Sequence, residues 1–232
     1  MSISERLAPS QSLSEDEVET GLKWLVHNGV WAQGMETLAL GPILVAYALY
    51  LDASNLAIGL LAALPNLGQL ALLPAVQVVE KVRRRRFLAV VFGAASRPML
   101  LVMAAAVLVP SKEAGLALLL IGLTLRYSLG AFVGCSFNSW IRDLVPEHRM
   151  GAVFANRLMW MTGIGMVVSL LAGLFVDEWD RLVPHREAYG YAILLVLAVL
   201  AGCFSVYCMC RIPEPGMPPA ERHLPLTERL AQ

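Results

Sequence analysis

The chain has 232 residues, of which 57% are hydrophobic and 16% are charged, and its mean hydropathy is +0.62. A soluble domain averages about 45–50% apolar and about 25% charged residues, so this composition excludes an ordinary soluble domain and indicates a membrane protein. The 18 basic residues balance the 18 acidic ones, and this neutral charge gives no indication of a nucleic-acid partner.

The chain opens with a polar segment. Residues 1–21 contain a cluster of four acidic residues, Glu15, Asp16, Glu17 and Glu19, and lack the short apolar core of a signal peptide. We predict a flexible, solvated N-terminal tail over 1–21 on the cytoplasmic side of the membrane.

Six apolar runs follow this tail between residues 22 and 211. A helix needs about 20 mostly apolar residues to cross the roughly 30 Å hydrocarbon core, and continuous runs of this length exclude the alternating strands of a barrel. The sequence therefore predicts an all-α membrane protein with six transmembrane helices in the lipid bilayer. The predicted spans are Trp24–Tyr50, Leu56–Val79, Phe87–Val109, Gly115–Phe137, Gly151–Val176 and Tyr189–Cys210.

Basic residues are distributed unequally between the two sets of connectors. The tails and the loops after spans two and four hold thirteen: Arg6, Lys23, Lys81, Arg83, Arg84, Arg85, Arg86, Arg142, Arg149, Arg157, Arg211, Arg222 and Arg229. The opposite connectors hold three, Lys112, Arg181 and Arg186. The positive-inside rule thus predicts that both termini are cytoplasmic. We expect the protein in the plasma (inner) membrane, with Trp140 at the inner membrane interface.

Two charged residues, Glu36 and Arg126, are expected near the membrane midplane. A charge there costs about 2.5–3.5 kcal/mol, so each marks a substrate or ion pathway or a structural ion pair, and both interpretations stay open. Glu36 and Arg126 each lie midway along the first helix of a set of three spans, and transporters built from inverted repeats bind substrates and ions between such sets. We include Gln33 and Tyr127 as neighbouring pathway candidates, with Glu36 and Arg126 as a proton-sensitive pair.

Span four also carries three glycines that would allow close helix packing: Gly122, Gly130 and Gly134. A third intramembrane charge, Arg97, precedes Pro98. Because a proline kink frees backbone carbonyls, we interpret Arg97 as a structural charge that bonds one of them.

Two cytoplasmic connectors carry a family resemblance. The segment PAVQVVEKVRRRRFL, after span two, resembles the signature connector of the major facilitator superfamily, with Glu80 and Lys81 at its acid–base pair and Arg84 and Arg85 at its paired arginines. It departs from the pattern at Val76 and Arg83, where the family has glycines. The segment IRDLVPEHRMG, after span four, resembles a second family connector through Asp143, Pro146 and Arg149.

Over residues 20–215, the chain resembles the N-terminal six-helix half of such a transporter, and the tail over 212–232 resembles the start of the linker between halves. The resemblance implies a 3+3 inverted repeat and a secondary active transporter that moves a small solute by alternating access, coupled to an ion. It also implies a second six-helix half, from a homodimer or a separate chain. Span five lacks the Gly-Pro element of drug–proton antiporters, which weighs against multidrug efflux.

The two connectors are expected on the same membrane face. Asp143 would pair with one of Arg83 to Arg86, and we predict a conformational latch formed by Asp143, Arg149, Glu80, Arg84 and Arg85. An exposed pair contributes only about 0–1 kcal/mol, so such a latch would bias a near-balanced equilibrium.

A non-transporting membrane scaffold, or a truncated remnant of a transporter, is the alternative function. An enzyme is not expected, because GCSF at 134–137 lacks the second glycine of an intramembrane serine protease. The four cysteines show no metal-binding spacing, so we expect neither a metal nor a cofactor.

Overall fold

The computed structural model describes residues 9–10 and 13–217. Within these residues the chain forms nine α-helices, joined by turns and three short 3₁₀ segments. The helices are α1 (Glu15–Ala39), α2 (Pro42–Tyr50), α3 (Asn55–Gly68), α4 (Leu72–Val82), α5 (Arg85–Ser96), α6 (Pro98–Ala104), α7 (Lys112–Leu144), α8 (Met150–Leu182) and α9 (Glu187–Arg211).

These helices make six spans that are long and apolar enough to cross a membrane: Glu15–Tyr50, Asn55–Val82, Arg85–Leu108, Lys112–Leu144, Glu147–Leu182 and Glu187–Arg211. They confirm the prediction of an all-α, multi-pass membrane protein. Spans one to three each consist of two helical segments, whereas α7, α8 and α9 run through spans four, five and six without a break.

The first helix begins earlier than predicted. Ser14 caps α1 through a capping box with Glu17: the Ser14 hydroxyl accepts a hydrogen bond from the Glu17 N–H, and the Glu17 carboxylate accepts one from the Ser14 N–H. The acidic residues of the first turn also interact favourably with the helix dipole. The prediction of a flexible tail over 1–21 is therefore wrong for residues 15–21, which are helical; residues 1–8 and 11–12 lie outside the described residues.

Two breaks divide spans one and three at prolines. Gly41 has a φ of 63°, a conformation that glycine adopts without strain, and Pro42 opens α2 at a first-turn position. In span three, α5 ends at Ser96 and α6 begins at Pro98, because proline has no N–H to continue the helix. Both interruptions lie close to charged residues of the bundle, Glu36 and Arg97.

The spans pack in two groups. Span one contacts spans five and six, span four contacts spans two and three, and spans three and six join the groups. Side chains such as Leu100, Met103, Leu119 and Leu123, all fully buried, form the larger core. Gly122 allows the close approach predicted for it, since a Cβ there would lie 2.7 Å from the Cγ of Met103.

Span five lies at the edge of the bundle. Only 6% of the residues in its most apolar stretch of 18 residues are buried. Large apolar side chains such as Met166, Leu170 and Leu174 are more than 60% exposed. A surface of this kind requires an apolar environment, which the hydrocarbon core of a bilayer supplies.

Candidate functional site

A cleft of about 300 Å³ opens between the two groups of spans. All six spans contribute to its wall, and its charged side chains are Glu36, Arg97, Arg126 and Arg157. Five uncharged polar residues also line the cleft: Asn28, Gln69, Ser96, Tyr127 and Ser205. Because Arg126 is central in the 33-residue helix α7, the cleft lies deep in the bundle rather than at either end.

Glu36 and Arg126 meet across the cleft. The Arg126 Nη2 group donates to the Glu36 carboxylate and forms an ion pair between spans one and four. Arg126 is 5% exposed, whereas the Glu36 side chain is 40% exposed. Tyr127, the other candidate on span four, lies beside them with its ring centroid 5.4 Å from the Arg126 guanidinium.

Arg97 lines the cleft and does not repair the kink. At the break the Arg97 N–H bonds to the Ala94 carbonyl at 3.3 Å rather than to Gly93, and the Gly93 carbonyl accepts a hydrogen bond of 2.8 Å from the Ser96 hydroxyl. Arg97 in turn donates to that hydroxyl at 3.1 Å. The expected bond from Arg97 to a freed carbonyl is not formed among the described residues, since the shorter Ser96 side chain reaches it first.

Arg157 is the site residue that sequence reasoning missed. Its position beside a charged connector led us to count it as a basic residue of the cytoplasmic face, yet it lies seven residues inside α8 and lines the cleft. Its guanidinium lies 5.4 Å from the Phe137 ring centroid. The sequence feature that accompanies this placement is Gly29 on the facing helix α1, because a Cβ there would lie 2.9 Å from the Arg157 Nε.

Gly29 offers a test of how Arg157 is held. We expect Gly29→Ala to destabilise the protein by about 1–3 kcal/mol, since the added methyl overpacks against Arg157 and Met161. The matched control on the same helix is Gly34→Ala, where a Cβ meets nothing within 4 Å, and the higher helix propensity of alanine should leave stability unchanged or raised by up to about 1 kcal/mol. Thermal unfolding in detergent measures both.

The double variant Gly29→Ala/Arg157→Ala separates this contact from a general effect on α1. Removing the Arg157 side chain should relieve most of the alanine penalty. An equal penalty at Gly29 in the presence and absence of Arg157 would contradict the assigned contact.

Gln33 and two of the glycines lie elsewhere than expected. Gln33 is not among the residues that line the cleft: its amide donates to Thr37 at 3.3 Å and packs against Gly165 of span five. Gly130 and Gly134 do not pack against another helix, since a Cβ at either would meet nothing within 4 Å, and both line the cleft instead. The small-residue spacing of span four thus leaves room in the cleft rather than a helix contact.

A second charged cluster lies where the chain leaves span six. Residues 212–217, here called the strap, cross the ends of spans three and four, and the strap backbone pairs with Ser10. Arg85 is 1% exposed and contacts Asp143 at 2.5 Å, the Ser139 carbonyl at 3.1 Å and the Pro215 carbonyl at 3.1 Å. The described part of the Pro-rich tail is therefore docked on the bundle. Its resemblance to the linker between halves stays a prediction, and residues 218–232 lie outside the described residues.

Glu214 anchors the strap. Its carboxylate accepts hydrogen bonds from the backbone N–H groups of Arg85 and Arg86, at 2.7 and 3.2 Å, and lies 3.5 Å from the Arg85 Nε. Burial raises the pKa of the Glu214 carboxyl, and these hydrogen bonds and the two arginine charges oppose the shift. The strap thus binds the first turn of α5 through its backbone as well as through charge.

Trp140 belongs to this cluster. It is fully buried and donates a 2.8 Å hydrogen bond from its indole N–H to the Pro213 carbonyl. The strap covers it, and its position at the inner membrane interface stays a prediction.

The other predicted latch residues are dispersed. Arg149 pairs with Glu19 of span one at 3.0 Å, while Glu80 and Arg84 are exposed at the end of span two and the start of span three. Arg83, where the family pattern has glycine, adopts a left-handed conformation with a φ of 55°. Of the five latch candidates, Asp143 and Arg85 are in direct contact, whereas Arg149 pairs with Glu19.

Within residues 9–10 and 13–217, no three His, Cys, Asp or Glu side chains are grouped so that they could hold a metal ion. Comparisons with protein-family models, with curated proteins and with solved structures found no match for this chain.

Proposed function

We propose that the chain is one six-helix half of a secondary active transporter of the major facilitator type, which moves a small solute by alternating access. The observation that carries the proposal is the cleft deep in the bundle, with the Glu36–Arg126 ion pair joining span one of one group to span four of the other. Polar and charged groups at this depth are costly, and they are characteristic of substrate and ion pathways. A carboxylate paired with a guanidinium also suits coupling to an ion, because a proton or another cation can replace the guanidinium as the partner of the carboxylate.

The pattern of span contacts supports an inverted repeat in this proposal. An inverted repeat would match span one with span four, span two with span five and span three with span six. Under this matching, the contacts of span one with spans five and six correspond to those of span four with spans two and three. The contact between spans three and six maps onto itself. Two similar three-span units that rock about a central site would have this arrangement.

The left-handed backbone of Arg83 supports the resemblance of the connector after span two. A left-handed residue favours glycine, the residue of the family pattern at this position. In the proposed orientation both termini, the strap and the connector are cytoplasmic, and the protein lies in the plasma (inner) membrane. A second six-helix half, from another copy or another chain, would complete the pathway on the open side of the cleft.

Transport by reconstituted protein tests the proposal. We expect saturable uptake of at least one labelled solute, from a panel of sugars, amino acids, carboxylates, phosphate esters and polyamines, into vesicles with a proton or sodium gradient. Glu36→Gln and Arg126→Ala should each reduce that uptake more than tenfold. The control Glu178→Gln removes an exposed carboxylate that pairs with Arg181 near the other end of the bundle, and it should stay within twofold of wild type.

Three results would count against parts of the proposal. Uptake no greater than that of protein-free vesicles would favour a scaffold or a transporter remnant. Unchanged uptake in both cleft variants would remove their assigned role. Transport by a preparation shown to be monomeric would contradict the need for a second half.

A further inference from the structure

The charges of the cleft do not balance. Three guanidinium groups, from Arg97, Arg126 and Arg157, face one carboxylate, from Glu36, which leaves a formal excess of two positive charges. Arg97 lies within electrostatic range of both Glu36 and Arg126, so the groups act on one another. Charges at this depth are costly when they lack a counter-ion, so an excess of two positive charges favours a bound anion.

The arginines also have unused hydrogen-bond donors. Arg97 is 9% exposed and Arg126 is 5% exposed. The Nε groups of Arg97, Arg126 and Arg157 are all buried without a hydrogen-bond partner among the described residues. The Nε groups of Arg97 and Arg157 lie against Gly202 and Gly29, so a ligand would be bound through the Nη groups. Arg97 donates Nη1 to Ser96 and Arg126 donates Nη2 to Glu36, which leaves each guanidinium a second Nη group for a ligand.

Arginine is suited to one class of ligand. Its planar guanidinium presents donors in a fork that matches the two oxygens of a carboxylate or a phosphate. A cationic solute would have to compete with Arg126 for Glu36, the only carboxylate of the described lining. A volume of about 300 Å³ is at the lower end of the range for ligand pockets, which limits the ligand to a small molecule.

We propose that this cleft binds a small soluble anion with carboxylate or phosphate groups, held by Arg97, Arg126 and Arg157. The inference rests on the proposed transport function and names the substrate class. Binding is coupled to the ion pair: an anion that takes the Arg126 donors displaces the Glu36 carboxylate from them. The cleft therefore alternates between an internal counter-ion, Glu36, and an external one, the substrate.

Glycines on the facing helices make room for this arrangement. Gly202 of span six lies against Arg97, since a Cβ there would be 2.6 Å from the Arg97 Cδ, and Gly29 makes the same allowance for Arg157. Two of the three arginines thus enter the cleft beside helix positions that have no side chain, and their placement depends on both helices.

A set of ligands matched in size but not in charge tests the proposal. Thermal unfolding of the purified protein is followed at constant ionic strength with succinate, its neutral diamide and the cation 1,4-diaminobutane. Inorganic phosphate and glycerol 3-phosphate supply the second anion class, and glycerol is their neutral counterpart. We expect a saturable rise in melting temperature with at least one anion and none with the neutral or cationic compounds, since a ligand that binds only the folded state raises its stability.

Variants then assign the effect to the cleft. Arg157→Gln and Arg97→Gln should each weaken binding of the stabilising anion at least tenfold, and Arg157→Lys, which keeps the charge but not the fork, should weaken it less. The exposed Arg181→Gln should bind as wild type does. If a glutamine variant fails to fold, Arg157→Lys and the wild-type ligand series still decide the question.

Several outcomes would overturn the proposal: no saturable shift with any of the anions, equal stabilisation by a neutral or cationic analogue, or unchanged anion binding by both glutamine variants. Stronger stabilisation by short-chain phosphatidylglycerol than by every soluble anion would identify a lipid headgroup as the ligand and would also overturn it. Anion binding without uptake into vesicles would contradict the transport function alone, whereas uptake restricted to neutral or cationic solutes would contradict the anion alone.

Discussion

Replacing Arg85 with alanine is expected to lower the free energy of unfolding by about 3–5 kcal/mol, because it breaks a buried network of charges and removes one of the two arginine charges beside Glu214. Arg85 is 1% exposed, and the side chain of Glu214 is completely buried. The same substitution removes the guanidinium from Asp143 and the donors from the Ser139 and Pro215 carbonyls. For a chain of this size, each kcal/mol corresponds to roughly 2–4 °C in melting temperature.

Arg84 is the matched control, since it has the same side chain, precedes Arg85 directly and is exposed. Arg84→Ala should change stability by no more than about 0.5 kcal/mol. Thermal unfolding in detergent compares the two, and hydrogen exchange at the N–H groups of residues 85 and 86 reports whether the strap has left α5. Equal stability of the two variants, or full protection of those amides in Arg85→Ala, would contradict the role of Arg85 as the centre of the cluster.

The same network contains the Asp143–Arg85 contact of the predicted latch. The Asp143 side chain is 34% exposed, so water can replace Arg85 as its partner, whereas buried Glu214 is also held by the backbone N–H groups of Arg85 and Arg86. A conformational change that opens this end of the bundle could thus break the Asp143 contact while the strap stays docked on α5.

Glu36→Gln is expected to destabilise the protein more than Arg126→Gln does, although both break the same ion pair. Loss of the carboxylate raises the formal charge excess of the cleft from two to three, whereas loss of Arg126 lowers it to one and leaves Glu36 within range of Arg97. Removing one partner of a fully buried pair costs about 3–5 kcal/mol, and since Glu36 is 40% exposed we expect about 2–3 kcal/mol for Glu36→Gln. Arg126→Gln should cost about half as much.

A double-mutant cycle with Glu36→Gln/Arg126→Gln isolates the interaction between the two residues, which should amount to about 0.5–3 kcal/mol. The control is Glu178→Gln, which breaks the exposed pair of Glu178 with Arg181 and should leave the free energy of unfolding nearly unchanged. A larger loss for Arg126→Gln than for Glu36→Gln would contradict the charge balance on which the anion site depends.

Sequence patterns predicted the spans because hydrophobic length is a local property. All six apolar runs became helical spans, and the start of span one could have been placed more accurately from Ser14 and Glu17, whose spacing is that of a capping box. The depth of Glu36 and Arg126 followed from counting residues along each run. Their contact did not, since it depends on how spans one and four are rotated about their axes.

Rotation also explains the residues that were placed wrongly. Gln33 is three residues from Glu36 and shares its side of α1 approximately, yet the packing of span five turns it against Gly165. Arg157 looked like part of a connector because charged residues precede it, but α8 begins at Met150 and carries it into the bundle. The burial of Trp140 could not be predicted, because nothing local indicates that a segment more than 70 residues later covers it.

By itself, the sequence determined that the chain is helical, how many spans it has and that Glu36, Arg97 and Arg126 lie within them, since each depends on composition and periodicity within one segment. Only the tertiary structure decided that three arginines and one glutamate share a cleft and that the strap joins spans three and four. Those features arise from side chains of different helices, and their positions are set by helix rotation and by glycines such as Gly29 and Gly202 that let one helix approach another. The charge excess that suggests an anionic ligand exists only once the helices are assembled.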